Sequence, residues 1–354
     1  MSDFELNGGI DPEELRDAAR RLLADKVDRR APWEARDNGR MALEGAMTEL
    51  GWYLLTIPEA MGGLDQSFEA LAPIYEEAGG ALSPLWPAGT MAAIDVLAAD
   101  GTQEAQAALQ AIAEEGHRVA TVILPVGALA QSARVAMVPG ADLATHLLLV
   151  PENGDACQLV PRDAAGVSIE VVETWDRSRS FAEVVLNNAS ADAMRIETPE
   201  ALSLARAHSE LALAWDCVGA AAQCLTETVE YMLGRQQFGR PIASFQALKH
   251  RAADHKVALE LARSLVTHAS MAYARKRNGW AELATQARLL ATGAFRGIAE
   301  DAVQLHGGVG FTWEYSCHLF LKRALVNEMI DGAPEALNDR IAEAVMQKAT
   351  SARI

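Results

Sequence analysis

Apolar positions recur at two different periods along the chain, and each change of period marks a change of structure. From about Pro12 to Gly116 the spacing is helical. Ala, Leu, Glu and Arg dominate, as in Pro12-Glu-Glu-Leu-Arg-Asp-Ala-Ala-Arg-Arg-Leu-Leu, while Gly62-Gly63 and the stretch from Pro84 to Pro87 read as turns. From about Arg118 to Met194 the texture becomes short and Val-rich. Apolar runs from Val119 to Leu124, Arg134 to Val138, Leu147 to Val150, Val167 to Val172 and Phe181 to Leu186 alternate with Gly, Pro, Asp and Asn, which predicts a small β-domain.

Helical spacing returns at Pro199. Leu211, Trp215, Val218, Ala222, Leu225, Val229 and Met232 step by four and three, one apolar stripe on a long helix that ends near Gly234. A second helix is expected from about Phe245 to Arg277, stopped by a C-cap at Asn278-Gly279. A third runs from about Trp280 to Leu305 and stops at His306-Gly307-Gly308, and a last one follows Pro334. Long antiparallel helices form a bundle. The expected fold is therefore α+β and mostly α: an N-terminal helical domain over residues 1–117, a middle β-domain over 118–197, and a helical bundle over 198–354. The seam between sheet and bundle is the expected ligand cleft.

Composition narrows the function. The 354 residues are 50% hydrophobic and 22% charged, a globular mixture. Lys and Arg number 31 against 48 Asp and Glu, and the net charge of −17 argues against nucleic acid and anionic membrane as partners. No run approaches the roughly 18 apolar residues of a membrane span; the most apolar helix, from Leu211 to Ala222, carries Asp216 in its middle. The start, Met-Ser-Asp-Phe-Glu, is acidic where a targeting peptide is basic. Four cysteines without CxxC spacing predict neither structural zinc nor disulfides, and point to the cytoplasm. His250, His255 and His268 share one helix but have no metal-ligand spacing, so no metal site is expected.

Two segments carry candidate chemistry. Gly234-Arg235-Gln236-Gln237-Phe238-Gly239-Arg240-Pro241-Ile242 leaves the long helix with arginines suited to phosphate and an aromatic suited to a planar ligand. Read by composition alone, it is equally a charged helix connection. Gln304-Leu-His-Gly307-Gly308-Val-Gly310-Phe311 lets backbone approach a ligand and offers free N–H groups to phosphate, or is a simple helix stop.

Together these segments resemble the FAD-dependent acyl-CoA dehydrogenase family. The resemblance is carried by Arg235-x-x-Phe238-Gly239, Phe245-Gln246, Gln304-x-x-Gly307-Gly308-x-Gly310-Phe311, and the earlier Leu50-Gly51-Trp52, Ile57-Pro58-Glu59 and Gly62-Gly63-Leu64. It implies a C-terminal four-helix bundle. It also implies that Arg235 and Phe238 reach the diphosphate and adenine of FAD in a neighbouring subunit, that Gln246 touches the same cofactor, and that Gln304, Gly307 and Gly308 cradle its diphosphate. A homo- or hetero-oligomer, dimer or tetramer, follows. The implied reaction is α,β-desaturation of an acyl-CoA, with electrons passed to an electron-transfer flavoprotein or similar acceptor.

The chain departs from the family pattern in two places. Where the family has a Glu-Gly carrying the catalytic base, this sequence has Asp331-Gly332, so Asp331 is the candidate base, one methylene or roughly 1 Å short. It also reads as an N-cap for the helix after Pro334. In relatives with the base on the long helix, the matching residue is Ser209; Glu210, rotated about 100° from it, reads as a solvated surface charge. In the short middle domain, Val122-Ile-Leu-Pro-Val-Gly-Ala128 lacks the family's Thr-Glu-Pro and Gly-Ser-Asp, while Val138 to Asp142 and Trp175 to Arg179 resemble its later strands. Trp175 and Trp313 are expected in strand and bundle core. Three readings follow: a dehydrogenase using Asp331, a half-site or non-catalytic subunit of a heteromeric, steroid side-chain type dehydrogenase, or an Asp-dependent flavin oxidase. A scaffold that merely inherited the fold is the non-enzymatic fourth.

Overall fold

The computed structural model describes residues 9–30, 33–124, 132–152, 154–189 and 193–351. Five helices come first: α1 (Pro12–Lys26), α2 (Trp33–Glu49), α3 (Phe68–Gly80), α4 (Ala88–Asp100) and α5 (Gln103–Glu114). Their starts are written locally. The side chains of Asp11, Ser67 and Thr102 accept from the N–H groups of Glu13, Glu69 and Ala105, satisfying donors that a helix leaves unpaired.

Among the described residues seven strands follow, in two sheets. β1 (Val119–Ile123), β3 (His146–Val150), β4 (Cys157–Pro161) and β7 (Met194–Ile196) form one in the order β1-β3-β4-β7, with β1 and β3 parallel. β2 (Ser132–Pro139), β6 (Phe181–Asn187) and β5 (Val167–Val172) form the other, antiparallel. The period of two explains why β3 is apolar throughout. Leu147 and Leu149 face the second sheet, whereas Leu148 and Val150 face the helices, so both faces are buried.

The bundle contains α6 (Ala201–Gly234), α7 (Gln246–Ala274), α8 (Trp280–His306) and α9 (Cys317–Met329), with α10 (Pro334–Ser351) laid on α8. α6 is the spine, packed on α3 and α4 as well as on its bundle neighbours. Its crossing with α3 is close enough that a Cβ on Gly79 or Gly219 would collide with the backbone of Asp216 or Glu76. That double contact is why α6 is buried almost all round.

Several expectations require correction. β4, β7 and α9 lack a clear period in the sequence and were not anticipated. Trp175 to Arg179 is not a strand but a tight turn, in which Asp176 accepts from the Ser178 N–H at 2.8 Å. Trp175 and Trp313 are 83% and 62% exposed, so neither sits in strand or bundle core. Asn278-Gly279 does not cap α7, which ends at Ala274; Gly279, at φ 80°, begins α8 instead. Of the Val122–Ala128 departure, residues 125–128 lie outside the described residues.

Buried charge ties the three parts together. Asp216 on α6 meets Arg179 from the 176–180 turn at 2.7 Å and the Asn327 amide of α9 at 2.7 Å. Arg323 on α9 meets Asp176 at 2.7 Å and the Ser83 carbonyl at 3.1 Å, and Arg179 lies 4.2 Å from the Trp86 ring centroid.

Candidate active site

Near its N-terminal end α6 turns one face away from the core and toward a cavity of about 710 Å³. The walls are Arg206, Ser209 and Glu210 from α6, Arg288 from α8, Leu337 and Arg340 from α10, and Ile123 and Leu124 at the end of β1. Asp331 and Gly332, in the link between α9 and α10, complete it.

Asp331 is half-buried, with its backbone in the left-handed region at φ 54°. Short polar side chains tolerate that conformation best. Its carboxyl accepts no hydrogen bond among the described residues, so it does not cap α10. Burial pushes its pKa up to about 6; Arg288 and Arg206 oppose the rise and Glu210 adds to it. An unpartnered carboxyl facing a cavity, with a pKa near neutrality, is suited to removing a proton.

Glu210 is not the solvated surface charge expected of it. Only 5% exposed, it accepts from Thr285 at 2.8 Å and from Arg340 at 2.9 Å, and lies 4.0 Å from Arg288. The physical reason is the multiple packing of α6, which leaves no solvent face at this level. Ser209 spends its hydroxyl on the Ala205 carbonyl at 2.9 Å. Arg288 was missed altogether. The signal was available: Thr285, Arg288 and Thr292 are buried polar residues spaced by three and four among Ala284, Ala287, Ala291 and Phe295.

The other sequence-predicted residues gather at the opposite end of the bundle. Arg235 follows α6 and opens a hairpin of β8 (Gln236–Gln237) and β9 (Arg240–Pro241), with Phe238 at φ 52° and Gly239 at φ 76° on its tip. Phe238 is 92% exposed, and the Arg240 guanidinium lies 4.2 Å from the Phe245 centroid. Gln246, the first residue of α7, is exposed. Gln304, Gly307 and Gly308 are exposed where α8 ends, and Gly307 has φ 64°. A Cβ at either glycine would meet nothing within 4 Å, so the backbone there is open to a ligand. Tyr231 near the end of α6 stacks on His306 at 4.2 Å, which places hairpin and glycine turn side by side.

These two groups are far apart in one chain. Glu210 and Arg235 are separated by 25 residues of helix, about 37 Å at 1.5 Å per residue. That exceeds the span of an extended FAD. The three histidines of α7 take no part: His250 and His268 are exposed, and His255 pairs with Asp301 at 2.9 Å. All four cysteines are free and buried. No helix among the described residues is long and apolar enough to cross a membrane.

A bundle and a small two-sheet domain enclosing a carboxylate cavity, with an exposed arginine hairpin and glycine turn at the far end, define a flavin-dependent dehydrogenase architecture. The chain belongs to the acyl-CoA dehydrogenase family: the models of that family's N-terminal and C-terminal domains match residues 11–115 and 201–346. It is 32% identical to acyl-CoA dehydrogenase IpdE2 of Mycobacterium tuberculosis over 84% of this chain and 85% of that protein. It is likewise 32% identical to IpdE2 of Mycolicibacterium smegmatis, over 81% and 82%. Among solved structures, the Tcur3481-Tcur3483 steroid ACAD superposes with a TM-score of 0.82 at 25% identity, covering 96% of this chain and 98% of that one. The protein is an FAD-dependent oxidoreductase of this family.

Proposed function

We propose that the protein desaturates an acyl-CoA thioester between its α- and β-carbons, with Asp331 as the base that takes the α-proton. The observation that carries this reading is the Asp331 carboxyl, half-buried in the cavity without a hydrogen-bond donor, its pKa raised to about 6. In that range a carboxylate is largely ionised at neutral pH yet basic enough to accept a proton.

Arg235, Phe238, Gln246, Gln304, Gly307 and Gly308 are the residues that would hold FAD. Their exposure and the open backbone at the two glycines suit a dinucleotide diphosphate. FAD, when bound, supplies the acceptor for the β-hydrogen as hydride. Because hairpin and cavity are about 37 Å apart along α6, the hairpin of one copy serves the cavity of another, and the working enzyme is an oligomer. The similarity to a steroid ACAD supports an acyl group derived from a steroid. The cavity's volume of about 710 Å³ leaves room for a fused-ring acyl group beside Asp331. An electron-transfer flavoprotein is the acceptor this reading calls for.

A second reading, a half-site subunit paired with a homologous chain, is favoured by the missing Thr-Glu and Ser-Asp between Val122 and Ala128. Dye reduction by purified, FAD-loaded protein with a panel of acyl-CoAs tests the first reading. Activity that vanishes in Asp331→Asn, with bound flavin unchanged, supports it; full activity in that variant removes Asp331 from the mechanism. A chain that holds no flavin alone, and one flavin per two chains once paired with a partner subunit, selects the second.

A further inference from the structure

We propose that Arg288 is the positioning residue of this site: a buried guanidinium from α8 that clamps the Asp331 segment by three consecutive carbonyls and is itself held in place by Glu210. The inference rests on Asp331 being the base.

The geometry is specific. Arg288 is 1% exposed, and its Nη2 donates to the carbonyls of Ile330 and, at 2.9 Å, Gly332. Its Nη1 donates to the Asp331 carbonyl at 3.4 Å. Three successive carbonyls converge on one cation only because the chain leaves α9 with Asp331 at φ 54° and Gly332 at φ 119°. A left-handed conformation at a non-glycine residue is strained and persists only where the surroundings enforce it. Arg288 is the group that enforces it here. Its planar fork can serve several acceptors at once, which a lysine ammonium on a flexible stem cannot do with the same geometry.

The clamp is anchored from behind. Glu210 faces Arg288 at 4.0 Å, and Thr285 and Arg340 fix Glu210 by hydrogen bonds of 2.8 and 2.9 Å. Asp331 therefore sits beside Arg206 and Glu210 on α6 and Arg288 on α8. Asp339, Arg340 and Glu343 of α10 face the same cavity, as do Arg134 of β2 and Glu152 beyond β3. Arg288 is first among the charges that hold the Asp331 pKa down against burial. It thus has two separable effects, on where the carboxyl points and on when it ionises.

Rapid-mixing measurement of flavin reduction by an acyl-CoA, across pH 5 to 9, separates them in Arg288→Lys, Arg288→Gln, Glu210→Gln and Asp331→Asn, each checked for flavin content and cooperative melting. Arg288→Lys keeps the charge and loses the fork. Its pH midpoint stays at the wild-type value while the limiting rate falls at least tenfold, with KM within about twofold, since misplacing a catalytic group by about 1 Å costs on the order of a hundredfold. Arg288→Gln loses the charge as well, and its midpoint rises by about one unit, as expected when a carboxylate loses an adjacent cation. If Arg288→Gln does not fold, Glu210→Gln tests the anchor: its limiting rate falls, whereas an unchanged rate overturns the anchoring. Wild-type rate in Arg288→Lys overturns the clamp while leaving the base intact, provided Asp331→Asn is inactive. Full activity in Asp331→Asn overturns both.

Discussion

Glu210 on α6 and Arg340 on α10 form an ion pair at 2.9 Å, with the carboxylate buried and the guanidinium about one-third exposed. This contact fastens the last helix over the cavity, since α10 otherwise packs mainly on α8. Arg340→Gln leaves Glu210 its bond to Thr285 and its nearness to Arg288, so the expected loss is modest, on the order of 1 kcal/mol. Denaturant unfolding measures it. A second expected effect is a raised KM for acyl-CoA, because Arg340 lines the cavity.

Asp331 carries a stability cost that depends on pH. Its folded-state pKa of about 6 lies above the ordinary 3.8, so folding favours the protonated form. The stabilisation is fully present below about pH 4 and is lost as pH rises through about 6. Asp331→Asn, which keeps a residue suited to φ 54°, is therefore expected to be more stable than the parent at pH 7 to 8. The rise from 3.8 to about 6 corresponds to roughly 3 kcal/mol, and partial exposure reduces the expected gain to on the order of 1–2 kcal/mol. Unfolding curves at pH 8 and pH 4 check this; the gain should shrink toward zero at the lower pH.

The sequence revealed those features of fold and site that depend on local period or on short motifs. The stripe from Leu211 to Met232 marked α6, and the Val-rich runs marked β1, β3, β5 and β6. Asp331 came from the family resemblance, as the residue at the place of the family's Glu-Gly, and its role as base is a proposal. Features set by tertiary packing were hidden. Glu210 looks like a surface charge on a helical wheel, and it is buried among Thr285 and Arg288 of α8 and Arg340 of α10, partners that no periodicity reveals. Arg288 shows in the sequence only as a polar residue spaced with Thr285 and Thr292 along an otherwise apolar helix face, and the backbone carbonyls it binds carry no side-chain signature. The strand β4 is short and mixed, stabilised by pairing with β3 and β7 rather than by its own pattern.

The Arg179–Asp216 pair at 2.7 Å has both side chains about 1% exposed, and Arg323 stands nearby. Burial, and then the neighbouring Arg323, lower the Arg179 pKa to about 10. Removing one partner leaves buried charge uncompensated. Asp216→Ala is expected to cost about 3–5 kcal/mol, measured by chemical denaturation, whereas breaking the exposed Arg195–Asp155 pair by Asp155→Ala should cost no more than about 1 kcal/mol.

If Arg235 grips a diphosphate, Arg235→Ala should weaken FAD binding by about 10- to 100-fold, the value of one charge-assisted hydrogen bond of about 1.5–3 kcal/mol. Fluorescence titration of the apoprotein with FAD reads this directly. The oligomer's cavity geometry should be untouched, so flavin-saturated Arg235→Ala should retain most of its turnover.

The most direct test of Asp331 as base is the rate of flavin reduction by an oxidisable acyl-CoA, followed anaerobically against pH in the parent and in Asp331→Asn. The expected parent rate rises with pH through a midpoint near 6, while Asp331→Asn is at least about 100-fold slower and lacks that midpoint. A parent-like rate and profile in Asp331→Asn, with flavin fully bound, would contradict the assignment.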